Sequence, residues 1–458
     1  MTKIKVPFFR PALQQDELNE VMTTLRSGWL TSGPRVKRFE ADFAAAIAAN
    51  GKEQRANGKG QSARGAKQKA KSHEQVHAVA VNSGTAALHL AVEALGLKPG
   101  QGVLVPTMTF AATAEVVRYQ GAIPILVDCH PVTLNMDLDD AKRKLESAQD
   151  RGQRSEARSQ RLQSRDQSAE IRDQKSDLSN PRTLSSGIVG IMPVHVGGNL
   201  IELDRLQSFA RAHRLWVVED AAHAFPSGWR RSPDEPWQQR SNGSKSITCY
   251  SFYANKTITT GEGGMAVTSN AKLAERMRLM SLHGLSADAW DRYSTNGNWD
   301  YKIVAPGYKY NLTDIAAAIG IHQLGRAEAM RLEREKVARR YGEGLASVKQ
   351  IELPIDDENR RQSWHLFAIR LHLQDLKINR DAFMNELKRA GVGCSVHWRP
   401  LHLHPYYQKT FGWRIKDFPV ATAEWKRLVS LPIFPGMLED EIDHVIRTVK
   451  LICRRHAC

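Results

Sequence analysis

The chain has 458 residues, 41% of them hydrophobic and 25% charged, with a formal net charge of +16. This length predicts two domains with a large buried core, and the composition is that of an ordinary globular protein. No apolar run approaches the roughly 18 residues that a membrane-spanning helix needs, so we predict a soluble protein.

The start of the chain and its cysteines both indicate a cytoplasmic protein. The sequence MTKIKVPFFRPALQQDEL lacks the hydrophobic region and the cleavage site of a secretory signal. The five cysteines are an odd number, lie far apart and include no CxxC pair, so neither a disulfide framework nor a zinc site is indicated.

Part of the positive charge lies in two low-complexity stretches, residues 51–75 and 147–179. Both are nearly free of large apolar side chains and cannot offset their ordering entropy by burial, so we predict disordered insertions. Clustered lysine and arginine would also suit an RNA-binding tail. In the second stretch the acids nearly balance the bases, which favours a solvated loop over nucleic-acid binding.

The first predicted elements are two helices separated by a loop. Helical periodicity over Asp16–Ser27 ends in the loop SGWLTSGP, which contains Trp29 and Thr31. A second helical pattern covers Val36–Ala48. The tryptophan is either a packing residue or part of a binding site.

After the first insertion, the run His77–Val81 predicts a buried strand that leads directly into Ser83-Gly84-Thr85 and a helix. Serine or threonine caps a helix start, and the free backbone N–H groups there attract an anion. This junction is either an ordinary capped helix or a phosphate site.

Four further strand-like runs each end near a polar or aromatic residue. They are Gly102–Pro106 before Phe110, Pro124–Val127 before Asp128, Gly187–Val194 before His195, and Leu215–Val218 before Asp220 and His223. Alternating strands and helices predict an open, mainly parallel α/β sheet. Because the carboxyl ends of parallel strands meet at one edge, Ser83, Phe110, His195, Asp220 and His223 are expected to face one site.

A single lysine, Lys256, follows the strand-like run Ile247–Phe252 and precedes the glycine-rich turn 261–264 and a short strand, Met265–Thr268. A lysine held between strands in an apolar setting has a lowered pKa and acts as a Schiff-base nucleophile. Taken alone, such a lysine is more often a surface residue, so the rest of the chain decides its role.

These separate elements together suit pyridoxal phosphate. The cofactor needs a lysine for covalent attachment, a carboxylate beside its ring nitrogen, an anion site for its phosphate and a face on which to stack. The sequence offers all four, in Lys256, Asp220, the 83–85 turn and Phe110.

Several segments in a fixed order resemble the DegT/StrS family of pyridoxal phosphate-dependent sugar-nucleotide aminotransferases. They are SGWLTSGP (27–34), NSGTAAL (82–88), PTMTFAAT (106–113), PVHVGG (193–198), VVEDAAHA (217–224), SFYANKTITTGEGG (251–264), LHG (282–284), PGYKYNLTDIAAAIG (306–320), SWHLF (363–367) and VHWRPLHLHPYY (396–407). The resemblance covers nearly the whole chain outside the two insertions.

The resemblance implies an α/β, aspartate-aminotransferase-like fold (fold type I of pyridoxal phosphate enzymes). Its large domain would cover residues 1–330 and a smaller α+β domain residues 331–458, in a homodimer. The implied activity is transfer of an amino group from L-glutamate to a keto-deoxysugar nucleotide, giving an amino sugar for polysaccharide or glycan synthesis. Family members that dehydrate instead carry histidine where this chain has Lys256, so the lysine favours transamination.

The family's functional residues are carried over by position. Lys256 matches the lysine that binds the cofactor, and Asp220 matches the partner of the pyridine nitrogen. His223 matches a position, Gln or His in the family, near the ring hydroxyl. The matches to the phosphate contacts and to the stacking aromatic residue are Gly84, Thr85 and Ser251, and Phe110. Substrate contacts are expected from Trp29, Thr31, His195 and His397.

One motif departs from the family pattern. Many relatives have GYNYR, whose asparagine reaches the cofactor phosphate of the neighbouring subunit, whereas this chain has Gly307-Tyr308-Lys309-Tyr310-Asn311. Either the Lys309 ammonium contacts the phosphate as a point charge or Asn311 makes the contact.

Two other interpretations compete. His397, His402 and His404 could be a metal site, but their spacing around a proline fits no common one, so no metal is expected. A non-catalytic regulator or nucleic-acid binder with this fold is the second rival. It would have lost the lysine or the aspartate, and both are present.

Overall fold

The structure is a computed structural model that describes residues 4–49, 75–148, 184, 187–285 and 302–458. The predicted disordered insertions, 51–75 and 147–179, lie outside these residues except for their outermost positions. None of the helices in the described ranges is long and apolar enough to cross a membrane.

The helices of the described residues are α1 (Gln15–Ser27), α2 (Pro34–Ala49), α3 (Gly84–Ala94), α4 (Ala112–Tyr119), α5 (Leu203–Ala212), α6 (Ala271–Ser281), α7 (Asp314–Gly325), α8 (Ala327–Leu345), α9 (Arg380–Arg389), α10 (Pro405–Phe411), α11 (Pro419–Arg427) and α12 (Glu439–Arg455). A further helix covers residues 138–148.

The strands are β1 (His77–Val81), β2 (Gly102–Pro106), β3 (Ile123–Val127), β4 (Ile188–Ile191), β5 (Trp216–Asp220), β6 (Gly228–Trp229), β7 (Ser246–Ser251), β8 (Gly264–Thr268), β9 (Ile351–Glu352), β10 (Arg360–Arg361), β11 (Phe367–Leu371) and β12 (Leu428–Leu431). The strands expected from apolar runs are present, with ends shifted by a few residues.

Within the described residues the central sheet has seven strands in the order β1-β8-β7-β5-β4-β2-β3. The pairs from β7 to β3 are parallel, and β8 runs antiparallel to both of its neighbours, β1 and β7. The predicted mainly parallel α/β sheet is therefore confirmed. Its strands, apart from β8, end at the same edge.

Both faces of this sheet are buried, as the side chains of β1, which point alternately to the two faces, illustrate. Ala78 and Ala80 pack into a core on one side with α2 and α7, whereas Val79 and Val81 pack into a core on the other side with α3. A strand covered by helices on both faces needs apolar residues at every position, which explains the continuous apolar runs of the sequence.

The C-terminal part of the chain has its own core around a second sheet, which in the described residues has the order β12-β11-β9. Helix α8 connects the two parts, because Ala327 and Met330 belong to the core of the central sheet and Val337 and Tyr341 to the C-terminal core. The predicted boundary at residue 330 thus falls inside a continuous helix.

A buried carboxylate ties the two parts together. Asp128, directly after β3, accepts hydrogen bonds from the backbone N–H groups of Val420 (3.0 Å) and Ala421 (2.8 Å) in the first turn of α11. The N-cap residue of α11, Phe418, provides no side-chain cap of its own. Asp128 therefore caps a helix of the C-terminal part of the chain, where a carboxylate also interacts favourably with the helix dipole.

Replacing Asp128 by alanine should lower the free energy of unfolding by about 2 kcal/mol, because two buried N–H groups lose a charged acceptor. Urea unfolding of the purified protein measures this. The matched control is Asp139→Ala, which removes an exposed carboxylate paired with Arg205 and should change stability much less, because exposed ion pairs contribute little. Equal effects of the two variants would contradict the capping role.

Candidate active site

A cavity of about 460 Å³ opens at the carboxyl edge of the central sheet. This volume lies in the range of small-molecule and cofactor sites. Its lining residues come from both the N-terminal and the C-terminal part of the chain: Ser83, Gly84, Thr85, Leu88, Thr109, Phe110, Ala112, Val194, Asp220, Ala222, His223, Ser251, Tyr253, Asn255, Lys256, Glu262, His365, Val396, His397 and Trp398.

Lys256 lies in the loop after β7, in a turn closed by its backbone N–H to Tyr253 O (2.9 Å). The surrounding protein removes most water from its amine, although the side chain keeps some surface toward the cavity. Burial lowers the pKa of Lys256 to about 8, and the Asp220 carboxylate partly opposes this shift. A larger fraction of the amine is therefore neutral and nucleophilic near neutral pH than for an ordinary lysine.

Asp220 ends β5 and is 5% exposed. Burial raises its pKa, while hydrogen bonds from Thr113 Oγ1 (2.7 Å) and the Ala222 N–H (3.2 Å) act in the other direction. A carboxylate in this position favours a cation placed beside it in the cavity. Thr113, bonded in turn to Thr109 (2.7 Å), orients the carboxylate.

The first turn of α3 forms an anion cradle. Ser83 caps the helix by accepting a hydrogen bond from the Ala86 N–H (3.0 Å), and Gly84 and Thr85 begin the helix. A Cβ atom on Gly84 would come within 2.9 Å of the Cβ of Ser251, so only glycine lets β7 approach this closely. The arrangement brings a serine hydroxyl beside helix N-terminal N–H groups, as phosphate binding requires.

Phe110 and His223 supply two walls of the cavity. The Phe110 side chain is 62% exposed and lies at the cavity mouth, where it presents an uncovered ring. The His223 ring is buried between the rings of His365 and Trp398, with centroid separations of 4.1 and 4.9 Å. His397 also lines the cavity and accepts or donates a hydrogen bond with Ser430 (2.9 Å).

These residues fit pyridoxal phosphate. The amine, the carboxylate and the anion cradle lie on three separate elements that surround one cavity, with an open aromatic ring beside them. The buried Asp220, whose pKa is raised, is suited to a positively charged ring nitrogen, which would stabilise its ionised form. Because residue 84 lacks a side chain, the Ser251 hydroxyl can lie beside the first turn of α3, where a phosphate would bind.

Four predicted site residues lie together on the surface instead of in this cavity. The Lys309 ammonium donates to Asn311 Oδ1 (2.6 Å), and Asn311 Nδ2 donates to Ser32 Oγ (2.8 Å), beside Thr31. Trp29 Nε1 donates to the Ser32 carbonyl (3.1 Å). We call Trp29, Thr31, Lys309 and Asn311 the surface cluster. Its backbone adjoins Asn82, two residues before Gly84.

The structure corrects the prediction that His195 faces the substrate. Its side chain is fully buried, and Nε2 lies 3.0 Å from a carboxylate oxygen of Glu219. Nδ1 accepts a hydrogen bond from the Ile201 N–H (3.3 Å), so Nε2 carries the proton and donates to Glu219. Val194, one residue earlier, lines the cavity in its place, because successive side chains of an extended segment alternate between faces.

The histidines 397, 402 and 404 do not converge. His402 is buried between Thr107 and Thr422, and His404 lies near the Arg399 carbonyl. Among the described residues, no three His, Cys, Asp or Glu side chains are grouped as a metal ion would require.

Sequence reasoning missed Thr113, His365 and Trp398 as site residues. Each lies within a segment that the resemblance had singled out, PTMTFAAT, SWHLF and VHWRPLHLHPYY. The spacing of residues along the chain carried no sign that these side chains contact Asp220 or His223. Only the approach of the C-terminal domain brings the last two to the cavity.

The comparisons with known proteins agree with this geometry. The model of the "DegT/DnrJ/EryC1/StrS aminotransferase family" matches residues 11–58, 52–151 and 176–450. The "Spore coat polysaccharide biosynthesis protein SpsC" of Bacillus subtilis is 37% identical over 451 residues, covering 98% of this chain and 97% of SpsC.

Two solved structures are similar over the whole chain. Spr1654 of Streptococcus pneumoniae in its PLP-form has a TM-score of 0.75 and 27% identity, covering 99% of each chain, and a PMP-form is similar to the same degree. The sugar aminotransferase CalS13 of Micromonospora echinospora has a TM-score of 0.71 and 26% identity, covering 97% of this chain and 99% of its own.

In protein freed of cofactor, modification of Lys256 by an amine-selective reagent should rise with pH through a midpoint near 8. Because the Asp220 charge raises the pKa of Lys256, Asp220→Asn should move the midpoint to lower pH. Mass spectrometry of peptides gives both midpoints, with the exposed Lys98 correcting for the reagent. An unshifted or rising midpoint in Asp220→Asn would refute the coupling.

Proposed function

The chain belongs to the DegT/DnrJ/EryC1/StrS aminotransferase family and uses pyridoxal phosphate, and on this premise we propose its reaction. It transfers the amino group of L-glutamate to a keto-deoxysugar nucleotide. The product is an amino sugar for polysaccharide or glycan synthesis. The observation that carries the proposal is the placement of Lys256 and Asp220 in one cavity that also contains an anion cradle.

Lys256 and Asp220 have different roles in this reaction. Lys256 holds the cofactor and, once displaced, its amine moves a proton between substrate and cofactor; the low pKa of about 8 suits both tasks. Asp220, held by Thr113, keeps the ring nitrogen protonated. The cofactor supplies an electron sink for the bonding pair of the substrate carbon.

The remaining roles concern binding and orientation. Gly84, Thr85 and Ser251 hold the phosphate, and Phe110 covers one face of the ring. His223 lies near the ring hydroxyl. His397, on the wall contributed by the C-terminal domain, contacts the substrate.

The lysine at position 256 favours transamination over dehydration. A dehydrating enzyme of this family has histidine there, which cannot form the covalent link. The similarity to SpsC, a spore coat polysaccharide biosynthesis protein, supports a product used in a polysaccharide.

A homodimer would complete the site. No arginine is present among the described residues that line the cavity, and Lys256 is engaged by the cofactor, so an anionic sugar nucleotide lacks a cation there. The surface cluster has an ammonium, Lys309, and its Trp29 and the adjoining Leu30 are 37% and 46% exposed. A second copy of the chain that covers these apolar side chains would bring Lys309 or Asn311 to the cofactor phosphate and Trp29 and Thr31 to the substrate.

We propose that the reaction takes place in the cytoplasm. Its support is that the five cysteines form no disulfide, and three of them, Cys129, Cys249 and Cys453, are buried. Thiols in this state are typical of a reducing compartment.

L-Glutamate alone should convert the visible absorbance of the cofactor-loaded protein to that of the pyridoxamine form, and the correct keto-sugar nucleotide should reverse the change. A stopped-flow spectrophotometer measures both halves with a panel of acceptors. Lys256→Ala should slow each half by at least roughly 10² to 10⁴-fold, because the proton carrier is lost. A full rate in Lys256→Ala would contradict the assignment, and Lys98→Ala serves as the control.

Lys309→Glu should raise the dissociation constant of the cofactor at least about tenfold, because a like charge beside the phosphate costs on the order of 1 kcal/mol or more. Lys309→Asn, which restores the family residue, should bind nearly as well as the original protein. Equilibrium dialysis of the phosphate-containing cofactor measures this. If Asn311 makes the contact instead, Asn311→Ala weakens binding and Lys309→Glu does not.

A further inference from the structure

The imidazole of His223 is enclosed by two other rings. His365 packs against it with centroids 4.1 Å apart, and Trp398 stacks against it at 4.9 Å with an angle of 22° between the planes. Both histidines are 6% exposed. The His223 ring therefore has little freedom to rotate about its side-chain bonds while these neighbours are in place.

Backbone contacts hold His365 and His223 in register. The His365 N–H donates to the Gly197 carbonyl (3.0 Å), and the Gly197 N–H donates to His223 Nδ1 (3.4 Å). The Ser363 hydroxyl donates to the His223 carbonyl (2.6 Å). The segments that contain Gly197, His223 and His365 are far apart in the sequence and meet here. Gly197 contacts both histidines.

The Gly197 contact decides which nitrogen of His223 carries a proton. A backbone N–H is a donor, so Nδ1 of His223 must accept, and in the neutral ring the proton lies on Nε2. The titratable groups facing this ring are His365, His397 and Lys256, with Asp220 on the neighbouring strand end. Burial lowers the pKa of His223 well below its usual value and Lys256 adds to the shift, so the ring is a neutral donor.

No side-chain hydrogen bond through Nδ1 explains the position of His365. Its Nδ1 is buried and has no hydrogen-bond partner among the described residues. Burial lowers the pKa of His365 well below its usual value, and the charge of Lys256 adds to this shift, so the ring is neutral. What His365 offers to His223 is therefore the packing of a flat ring rather than a hydrogen bond.

We propose that His365 is a positioning residue. Its backbone is held by Gly197, and its ring fixes the plane of the His223 ring. The His223 Nε2–H then points to the ring oxygen of the cofactor. The inference rests on the proposed function, in which His223 lies near that hydroxyl. The negatively charged ring oxygen also attracts the proton on the nitrogen that joins Lys256 to the cofactor. A hydrogen bond donated by the protein to this oxygen weakens that attraction. It therefore lowers the pH at which that nitrogen loses its proton.

The experiment titrates the visible absorbance of the cofactor-loaded protein between pH 5 and 10. His365→Ala removes the packing ring and should raise the midpoint by about one pH unit, the size expected when a hydrogen bond to a charged oxygen is weakened. His365→Phe keeps a flat ring without nitrogen atoms and should restore the midpoint. If Phe shifts the midpoint as much as Ala does, His365 acts through its nitrogens and the proposal is overturned.

A double variant shows whether His365 acts through His223. His223→Ala should itself raise the midpoint, and adding His365→Ala should then change it no further. A further shift in the double variant would also overturn the proposal. The matched control is His402→Ala, which removes a buried histidine stacked on Phe418 (4.7 Å) outside the cavity. It should lower Tm and leave the midpoint unchanged.

Failure of the proposed function can be told apart from failure of this inference. If the unaltered protein forms no pH-dependent visible band with pyridoxal phosphate, the proposed function fails at its first step. If the band forms and disappears on addition of glutamate, yet His365→Ala leaves the midpoint in place with an unchanged Tm, only the positioning role is wrong.

Discussion

The site depends on placing two opposite charges, Lys256 and Asp220, in one water-poor cavity. Burial lowers the pKa of the lysine to about 8 and raises that of the aspartate, so the surroundings disfavour the charge of each group. Such a pair is costly to bury without further partners. Thr113 and the Ala222 N–H stabilise the carboxylate, and a ring cation between the two groups would add to this. The protein thus bears an electrostatic cost that its cofactor is suited to relieve.

The parallel sheet makes that juxtaposition possible. Asp220 ends β5 and Lys256 follows β7, and these strands are neighbours, so their carboxyl ends deliver both side chains to the same edge. The cradle of Gly84 reaches the site because β8 pairs with both β1 and β7. Close approach of the backbones at Gly84 and Gly264 allows no side chain at either position. The glycine-rich turn after the lysine therefore serves packing as well as chain reversal.

The C-terminal part of the chain completes the wall of the cavity. His365, His397 and Trp398 enter the cavity from this part, and Asp128 and Gly197 connect it to the ends of β3 and β4. Contacts made of buried backbone N–H groups and packed rings hold a geometry more firmly than exposed ion pairs do. The surface cluster has no such enclosure within one copy of the chain, and its Lys309 ammonium is bonded to an amide rather than to a carboxylate.

The sequence by itself determined the class of sheet and most of its strands. It also predicted that Lys256, Asp220, Gly84 and Phe110 meet at one site, and all four line the cavity. Continuous apolar runs, strand-end polar residues and helix caps are local signals. The sequence also indicated the family through segments in a fixed order. Only the tertiary structure decided that His195 turns away to Glu219, that Thr113 orients Asp220, that His365 and Trp398 enclose His223, and that the surface cluster lies apart. Each of these depends on which face a side chain takes or on contacts between residues more than a hundred positions apart. Neither the face that a side chain takes nor a long-range contact can be predicted from a periodic or local pattern in the sequence, because both depend on how distant parts of the chain pack.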